Sequence, residues 1–492
     1  MEGNNQNANK GDEERTVSDF EKIMQLNKLG ALFLSGDKYE KALNILSKTL
    51  EFYVEKKQKK QIPPFFYSIL YCNLAKTYSC LKQFDKASPL YSECITNHPL
   101  FKLLSKHNSF LTETFHLMPL EHLLTSQSKV TEEKVLLKFN ALNEFFNTKN
   151  TTVRDEVTKR IHKEFKGNNL KTVASLSDSL VNLAVILQIN NKELEASLDM
   201  YIISLLLTQD NTVANVNYNN FLREVNMKLK SDEYIVKRIQ YAKNDDTISI
   251  TPADASVHNT SPVTPETNTN EVTTNFICMK WGTKYSSEYV NKLYRGIFTN
   301  TKHKFNFYCI TDDNSGLDGA IKPIKLETQF TGWMKKSMLF DDKILDQITT
   351  NPQSVLCFID LDMIVYSNID FIFGYTGNFC LMKTDDIQCE SSVNGYNSSI
   401  VIWKRGFGKE IYDTMEKYES LLTKQIVRFD HYLEFIVKNS DFIQDVFQGK
   451  ILDYNTYCKG KEELPITGAI IAFPRSPKPH ECNESWISKY WK

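Results

Sequence analysis

Along the first half of the chain apolar residues recur three and four positions apart with few β-branched runs, the spacing of helices that bury one face. After residue 275 the pattern changes. Short runs rich in Val, Ile, Phe and Tyr alternate with amphipathic stretches, so strands interleaved with helices are predicted there. The first run, from Asn275 to Met279, precedes a helical pattern through Tyr289, Leu293 and Ile297. Further strands are predicted over Phe305 to Thr311, Ala320 to Leu326 and Val355 to Ile359. The last of these is apolar without alternation, as expected for an interior parallel strand covered on both faces. Residues 244–274 are rich in Thr, Asn, Ser and Pro and hold no Lys, Arg or aromatic residue, so they read as a linker too polar to order itself. Four segments are expected: a disordered polar tail over 1–17, a helical domain over 18–243, a linker over 244–274 and an α/β domain over 275–492.

Within the helical half, Leu26, Leu29, Gly30, Phe33, Tyr39, Ala42 and Leu46 resemble one tetratricopeptide repeat. Leu74, Ala75, Tyr78, Phe84, Ala87, Tyr91 and Pro99 resemble a second. Leu29 and Leu74, Tyr39 and Phe84, and Ala42 and Ala87 are each 45 residues apart, against about 34 in the usual repeat. The surplus implies longer helices or a longer loop around EKKQKKQIPPFF. Two weaker units start near Leu180 and Ala214. The resemblance implies stacked helix pairs that share a core and offer an interaction surface; an irregular helical bundle is the other reading of the same spacing.

Composition narrows the classes. With 59 Lys and Arg against 60 Asp and Glu, the net charge of −1 gives no global attraction to nucleic acid or anionic lipid. Eighteen Gly and 14 Pro in 492 residues exclude a collagen-like or low-complexity chain. The N-terminus has no basic start leading into an apolar stretch, and runs such as Leu180 to Ile189 are too short to cross a bilayer, so a soluble cytoplasmic protein is expected. Ten cysteines lack any Cys-x-x-Cys pair, and Cys278, Cys309 and Cys357 sit inside apolar runs as reduced, hydrophobe-like thiols.

The candidate chemistry lies where the apolar run Val355 to Ile359 ends in Asp360-Leu361-Asp362. Residues two apart on an extended chain point the same way, so both carboxylates can converge on one hard cation at the carboxyl edge of an α/β sheet. A nucleotide-sugar must lose a diphosphate, and Mg²⁺ or Mn²⁺ held by such a pair stabilises the charge that develops. An isolated Asp-x-Asp triplet is weak evidence by itself. Its context carries more: KWGTKYSSEYVNKLYRGI, FYCITDD, TGWMKKSMLF, FIDLDMIVYSNID, GYNSSIVIW and FPRSPKPHE follow one another in order.

Taken together, these segments make the chain from Phe276 onward resemble the GT-A glycosyltransferases, in particular retaining enzymes of the glycogenin and lipopolysaccharide galactosyltransferase type. The resemblance implies an α/β nucleotide-diphospho-sugar fold with Asp360 and Asp362 as the metal- and donor-binding pair. It also implies that Tyr285 stacks on the nucleobase, that Trp333 and Lys336 line the donor pocket, and that Asn397 bonds a sugar hydroxyl. Asp430, with His431 beside it, would face the acceptor. Related enzymes carry a third metal ligand, a histidine, where Ala472 stands here; His480 is the candidate substitute, and Lys478 a diphosphate contact. An inverting reaction would instead need Asp386 or Asp430 as base. The expected activity is hexosyl transfer from a UDP-sugar to a hydroxyl of a protein or glycan acceptor selected by the repeats. A repeat scaffold with a catalytically dead sugar-nucleotide domain is the first alternative. A sugar nucleotidyltransferase is the second, although the loop Lys280-Trp-Gly-Thr-Lys284 lacks the glycines its phosphate site needs.

Overall fold

The computed structural model describes residues 18–57, 64–106, 108–125, 130–147, 170–191, 193–243, 247–253, 274–385, 395–474 and 476–492. The expected tail, most of the expected linker and Asp386 lie outside the described residues. The chain is mixed α/β, helical in its N-terminal part and built on a mixed sheet in its C-terminal part. It divides into two compact units, Met1–Tyr218 and Asn219–Lys492.

The first unit carries helices α1 (Asp19–Ser35), α2 (Tyr39–Lys57), α3 (Pro64–Cys80), α4 (Phe84–Asn97), α5 (Pro99–Lys106), α6 (Asn108–Phe115), α7 (Glu132–Asn147), α8 (Leu170–Ile186) and α9 (Leu194–Leu207). The helix α10 (Thr212–Glu224) begins in it. The offset seen in the sequence is an offset of structure. Helices α1 and α3 start and stop at equivalent places, and the corners after them are alike. Asp37 and Lys82 both take a left-handed conformation, with φ of 57° and 58°. Lys38 N donates to Phe33 O and Gln83 N to Tyr78 O, both at 2.9 Å. A Cβ on Gly30 would lie 2.5 Å from Leu46 Cδ2, so only glycine lets α1 and α2 approach this closely. The surplus length sits partly in the helices themselves, since α2 runs 19 residues and α3 runs 17. Between α8 and α9 the corner is a π-helical turn over Leu187–Asn191 instead.

One buried ionic cluster pins this unit. Lys138, 2% exposed, lies 2.5 Å from Asp199 Oδ1 and 3.3 Å from Glu195 Oε1. Asp199 is fully buried and also accepts from Met118 N at 2.8 Å. Burial pushes its carboxyl up to about 6 against the pull of Lys138. Desolvation thus outweighs the attraction even while the pair is whole, and removing one partner strands a buried charge.

The second unit contains the end of α10, α11 (Lys228–Lys243), β1 (Thr274–Lys280), α12 (Ser287–Thr299), β2 (Phe305–Thr311), β3 (Lys322–Lys325), α13 (Asp342–Leu345), β4 (Val355–Ile359), β5 (Ile364–Val365), β6 (Phe379–Lys383) and β7 (Tyr396–Lys404). There follow α14 (Lys409–Leu422), α15 (Phe429–Ile436), β8 (Asp441–Phe442), α16 (Ile443–Val446), β9 (Ile451–Asp453), β10 (Ile470–Ala472) and α17 (Ser485–Tyr490). Seven strands form a sheet in the order β3-β2-β1-β4-β7-β6-β8, and β5-β10-β9 form a small second sheet. In the large sheet β3, β2, β1 and β4 run parallel, while β7 is antiparallel to both β4 and β6. The period of two along β1, β4, β6 and β7 sorts side chains to opposite faces. Ile277, Met279, Leu356, Phe358, Leu381 and Trp403 pack under α11, α14 and α15. Phe276, Cys278, Val355, Cys357, Ile400 and Ile402 pack against α12 on the other face. Burial on both sides explains why β4 reads as an uninterrupted apolar run.

The units divide at Tyr218, well before residue 243, where the composition changes. Ile235 and Ile239 of α11 are buried in the same core as β1 and β4. Arg223 at the end of α10 is 2.5 Å from Glu434 of α15 and 2.8 Å from Asp232. Ala253, within the expected linker, donates its N–H to Ile436 O at 2.8 Å, and Ile248 and Ile250 pack on the same core. The alternating Ile248-Ser-Ile250 is apolar enough to dock despite its polar flanks.

Two outcomes follow from this packing. A chain beginning at residue 275 lacks α11 and leaves Glu434 buried without Arg223, so it should unfold at lower urea than a chain beginning at residue 211, read by circular dichroism. Lys138→Met should destabilise the first unit by about 3–5 kcal/mol, read from its denaturation midpoint.

Candidate functional site

The site forms where β4 leaves the sheet. Asp360 N donates to Ser399 O at 2.8 Å, which holds the strand end against β7. Beyond it the carboxylates of Asp360 and Asp362 turn toward the loops, with side chains 26% and 11% exposed. Each carries an ammonium. Lys336, from a 3-10 stretch over Gly332–Phe340, lies 2.9 Å from Asp360 Oδ1 and 3.0 Å from Oδ2. Its stem lies along β4, with Nζ 5.0 Å from the Phe358 ring. Lys478, in the segment after β10, lies 2.7 Å from Asp362 Oδ2 and donates to Phe473 O at 2.6 Å. The Tyr285 hydroxyl donates to the same Asp362 oxygen at 2.9 Å. Five of the residues singled out in the sequence are thus brought together: Tyr285, Lys336, Asp360, Asp362 and Lys478.

A second strand end completes the site. Between Leu381 and Met382 the pairing of β6 with β7 slips, so that Leu381 faces Val401 while Met382 faces Asn397. Residues 398–400 form an irregularity of the kind that re-aims side chains beside functional sites. Asn397, 6% exposed, spends its Oδ1 on Ser399 N at 3.0 Å. Ser398 Oγ lies 3.5 Å from the Lys336 ammonium and 2.5 Å from Asp430 Oδ1, which also accepts from Ser398 N at 2.8 Å. Asp430 therefore anchors the irregular strand. His431 turns inward, is 8% exposed and accepts from Arg428 Nε at 2.9 Å. Burial first, and then Arg428, Arg223 and Lys228, hold its imidazole far below the ordinary range and keep it neutral. Trp333 packs near Tyr432, ring centroids 6.2 Å apart.

His480 is placed differently from its expected role. It is exposed, and its Nδ1 lies 2.6 Å from the Tyr289 hydroxyl. Among the described residues no three His, Cys, Asp or Glu side chains converge, so His480 does not join Asp360 and Asp362 in a three-ligand set. Ala472 is fully buried and contributes no ligand. Two carboxylates remain. They fit Mg²⁺ or Mn²⁺ in the mode where one or two carboxylates share the ion with substrate phosphates and water, and they do not form a complete protein cage.

Ser398, Ser399 and Tyr289 were not singled out from the sequence. The available signal was the polar Asn-Ser-Ser inside an otherwise apolar run, since an interruption in a strand marks a bulge.

The two ion pairs set the electrostatics. Burial is the largest influence on Asp360 and pushes its carboxyl up to about 6; Asp362 and Asp430 add to the rise, and Lys336 opposes it. Burial and the Asp362 charge likewise hold the Tyr285 hydroxyl in its protonated, donating form. Comparison with known protein families finds no matching family model, and comparison with curated proteins finds no significant match. No helix among the described residues is long and apolar enough to cross a membrane.

A raised carboxyl binds more protons in the folded than in the unfolded state between pH 3.8 and about 6, so in that window Asp360 lowers stability as pH rises. A ¹³C-carboxyl NMR titration should place Asp360 near 6. Lys336→Met removes the opposing charge and should move it higher still.

Proposed function

We propose that the second unit is a GT-A-type glycosyltransferase domain that moves a sugar from a nucleotide diphosphate donor, a UDP-sugar, to a hydroxyl acceptor, and that the N-terminal helix pairs are tetratricopeptide-like and select the acceptor. The observation that carries this reading is the pairing of Asp360 with Lys336 and of Asp362 with Lys478 at the carboxyl end of β4. Open α/β sheets bind ligands at that edge. Four formal charges there sum to zero, so an incoming diphosphate meets no net repulsion, and both ammonium groups stand where its charge arrives. Asp360 and Asp362 are the residues that would hold Mg²⁺ or Mn²⁺, which when bound supplies positive charge to the leaving diphosphate.

In the transfer, the bond from the sugar anomeric carbon to the diphosphate oxygen breaks, a bond to the acceptor oxygen forms, and the acceptor hydroxyl proton passes to the departing diphosphate. Lys336 and Lys478 lower the cost of negative charge on the departing diphosphate because they are already in place and need little reorganisation. Tyr285 fixes one Asp362 oxygen and keeps that carboxylate oriented. Asp430 holds the Ser398 backbone and hydroxyl, so the strand carrying Asn397 keeps its position beside the donor sugar. With Asp430 so engaged, it serves better as a positioning group than as a base, in keeping with a retaining reaction that needs no strong base.

The alternative is a domain that binds a nucleotide-sugar and does not turn it over. Ala472, buried at the place where a third metal ligand would stand, favours that reading. Release of UDP from a panel of UDP-sugars with Mn²⁺, with and without EDTA, separates the two. Turnover is expected, and Asp362→Asn and Lys478→Met should each reduce it at least ~10²-fold with an unchanged far-UV spectrum. UDP-sugar binding by calorimetry with no UDP release would leave the alternative standing, and full activity in Asp362→Asn would end the proposed mechanism.

A further inference from the structure

A cleft lies at the amino end of β2 and β3, where the last turn of α12 and the loop into β2 meet. It has a volume of about 700 Å³, and Tyr294, Phe298, Lys302, Lys304, Phe305 and Lys322 are among its lining residues. The parallel strands fix its separation from the candidate site. Phe358 of β4 and Tyr308 of β2 are both register partners of Ile277, which puts Asp360 level with Ile310. Phe305 stands five residues earlier on β2, so about 17 Å of strand separates the cleft from the carboxylate pair.

The polar wall of the cleft is cationic. Lys302, Lys304 and Lys322 are exposed, and no Asp or Glu is among the lining residues. Two nearby carboxylates turn to the backbone instead. Asp370 accepts from Thr301 Oγ1 at 2.6 Å and from Lys302 N at 3.2 Å, and Asp318 accepts from Ala320 N at 3.0 Å. The Lys322 ammonium donates to Asn306 Oδ1 at 2.9 Å, and Asn306 Nδ2 donates in turn to Asn275 Oδ1 at 2.9 Å. A neutral amide orients an ammonium without cancelling its charge, and an ammonium has three donors to share. Between Lys302 and Lys304, His303 stacks on Phe373 with ring centroids 4.6 Å apart, which pins the loop that carries both lysines.

The apolar wall is aromatic. The Tyr294 ring centroid is 6.0 Å from that of Phe298 and 6.2 Å from that of Phe305. Burial first, and then Asp318, push the Tyr294 hydroxyl up, so that ring stays neutral. Phe298 is 63% exposed, which leaves its ring open to water beside the three ammonium groups.

These two walls select the guest. An inorganic anion would meet the lysines and leave the rings wet, whereas a nucleoside phosphate presents both a flat base and a run of negative charge. Bases of every kind stack on aromatic side chains, and three ammonium groups match a triphosphate better than a single phosphate. The volume falls within the roughly 300–1,000 Å³ of small-ligand clefts, which suits one nucleotide rather than a strand of nucleic acid. We propose that this cleft is a nucleoside triphosphate site separate from the candidate transferase site, in which the base stacks on Phe298 while Lys302, Lys304 and Lys322 hold the phosphates. The proposal does not rest on the glycosyltransferase reading.

The test is calorimetry on the full chain in EDTA with ATP, GTP, CTP and UTP, and with inorganic triphosphate. At least one nucleotide is expected to bind, and more tightly than inorganic triphosphate. Lys302→Glu combined with Lys322→Glu should weaken that nucleotide at least ~10-fold, and Phe298→Ala should weaken it about 5-fold or more. Melting temperatures should not change, because all three side chains are exposed. Lys478→Met should bind the nucleotide as the native chain does. No binding of any of these nucleotides overturns the site, and so does equal binding in the native chain and the Lys302, Lys322 and Phe298 variants. A nucleotide lost in Lys478→Met but kept in the lysine double variant belongs to the Asp360 edge and overturns it as well. Inorganic triphosphate bound as tightly as the nucleotides, or oligouridylate bound more tightly than any of them, overturns the nucleotide assignment.

Discussion

The candidate site depends on two carboxylates at the end of a buried strand being neutralised from opposite directions in the chain. β4 is enclosed on both faces, and its apolar run must stop where the sheet stops. The residues beyond it are the first that can be charged. Asp360 and Asp362 placed there without partners would carry two like charges into a partly desolvated edge, which either raises their pKa values or expels the segment into water. Lys336 and Lys478 resolve this, one from a 3-10 stretch before β4 and one from the loop after β10. The ion pairs therefore do two things at once: they permit the carboxylates to stand at the sheet edge, and they preload the edge with positive charge.

Much of this architecture was legible in one dimension, for reasons that differ from element to element. β2 and β4 occupy the very residues their runs mark; β4 is buried throughout with no polar residue, and β2 is buried from Phe307 onward with Asn306 near its start. β3 is shorter than its run, covering Lys322–Lys325, since only Ile324 of that strand is buried. The paired corners at Asp37 and Lys82 were visible as a repeat offset because a helix–turn–helix unit restricts size at the same few positions each time. The domain boundary was not visible. Composition reports where a chain becomes too polar to fold, whereas α11 and Ile248 to Ala253 join the second unit through partners that lie far away in sequence. Likewise, the sequence placed Asp360, Asp362, Lys336 and Lys478 in one region but did not show which cation meets which anion, and it suggested for His480 a metal role that its contact with Tyr289 does not serve.

The same comparison explains why the residues around β7 were harder to read. Tyr396 N and Ser398 N lie beyond Ile400, the last residue of β7 in register with β4, and they bond to side chains instead. Glu434 accepts from Tyr396 N at 2.8 Å, and Asp430 accepts from Ser398 N at 2.8 Å. The two acceptors sit four residues apart on α15, hence on one face of that helix, and alternate N–H groups of a strand also point one way. A single turn of helix thus substitutes for a missing strand partner. Buried backbone groups must be paired somewhere, and here side-chain carboxylates do it, a solution that leaves only an ordinary Asp-x-x-x-Glu in the sequence.

That substitution brings its own requirement. Glu434 is 4% exposed and needs a cation. Arg223, 7% exposed, supplies it from α10, and Asp232, bound in turn by Lys438 at 2.5 Å, fixes the other arm of the guanidinium. The chain of contacts runs from the last turn of α10 through Glu434 to Tyr396, and one residue further lies Asn397 beside the candidate site. A helix that the amino-acid pattern assigns to the N-terminal half is for this reason part of the apparatus that shapes the C-terminal site. Breaking the chain at Arg223 would strand Glu434 as a buried anion competing for the Tyr396 N–H and the Lys228 ammonium, and the irregular strand that carries Asn397 and Ser398 would lose its fixed register before the sheet itself failed.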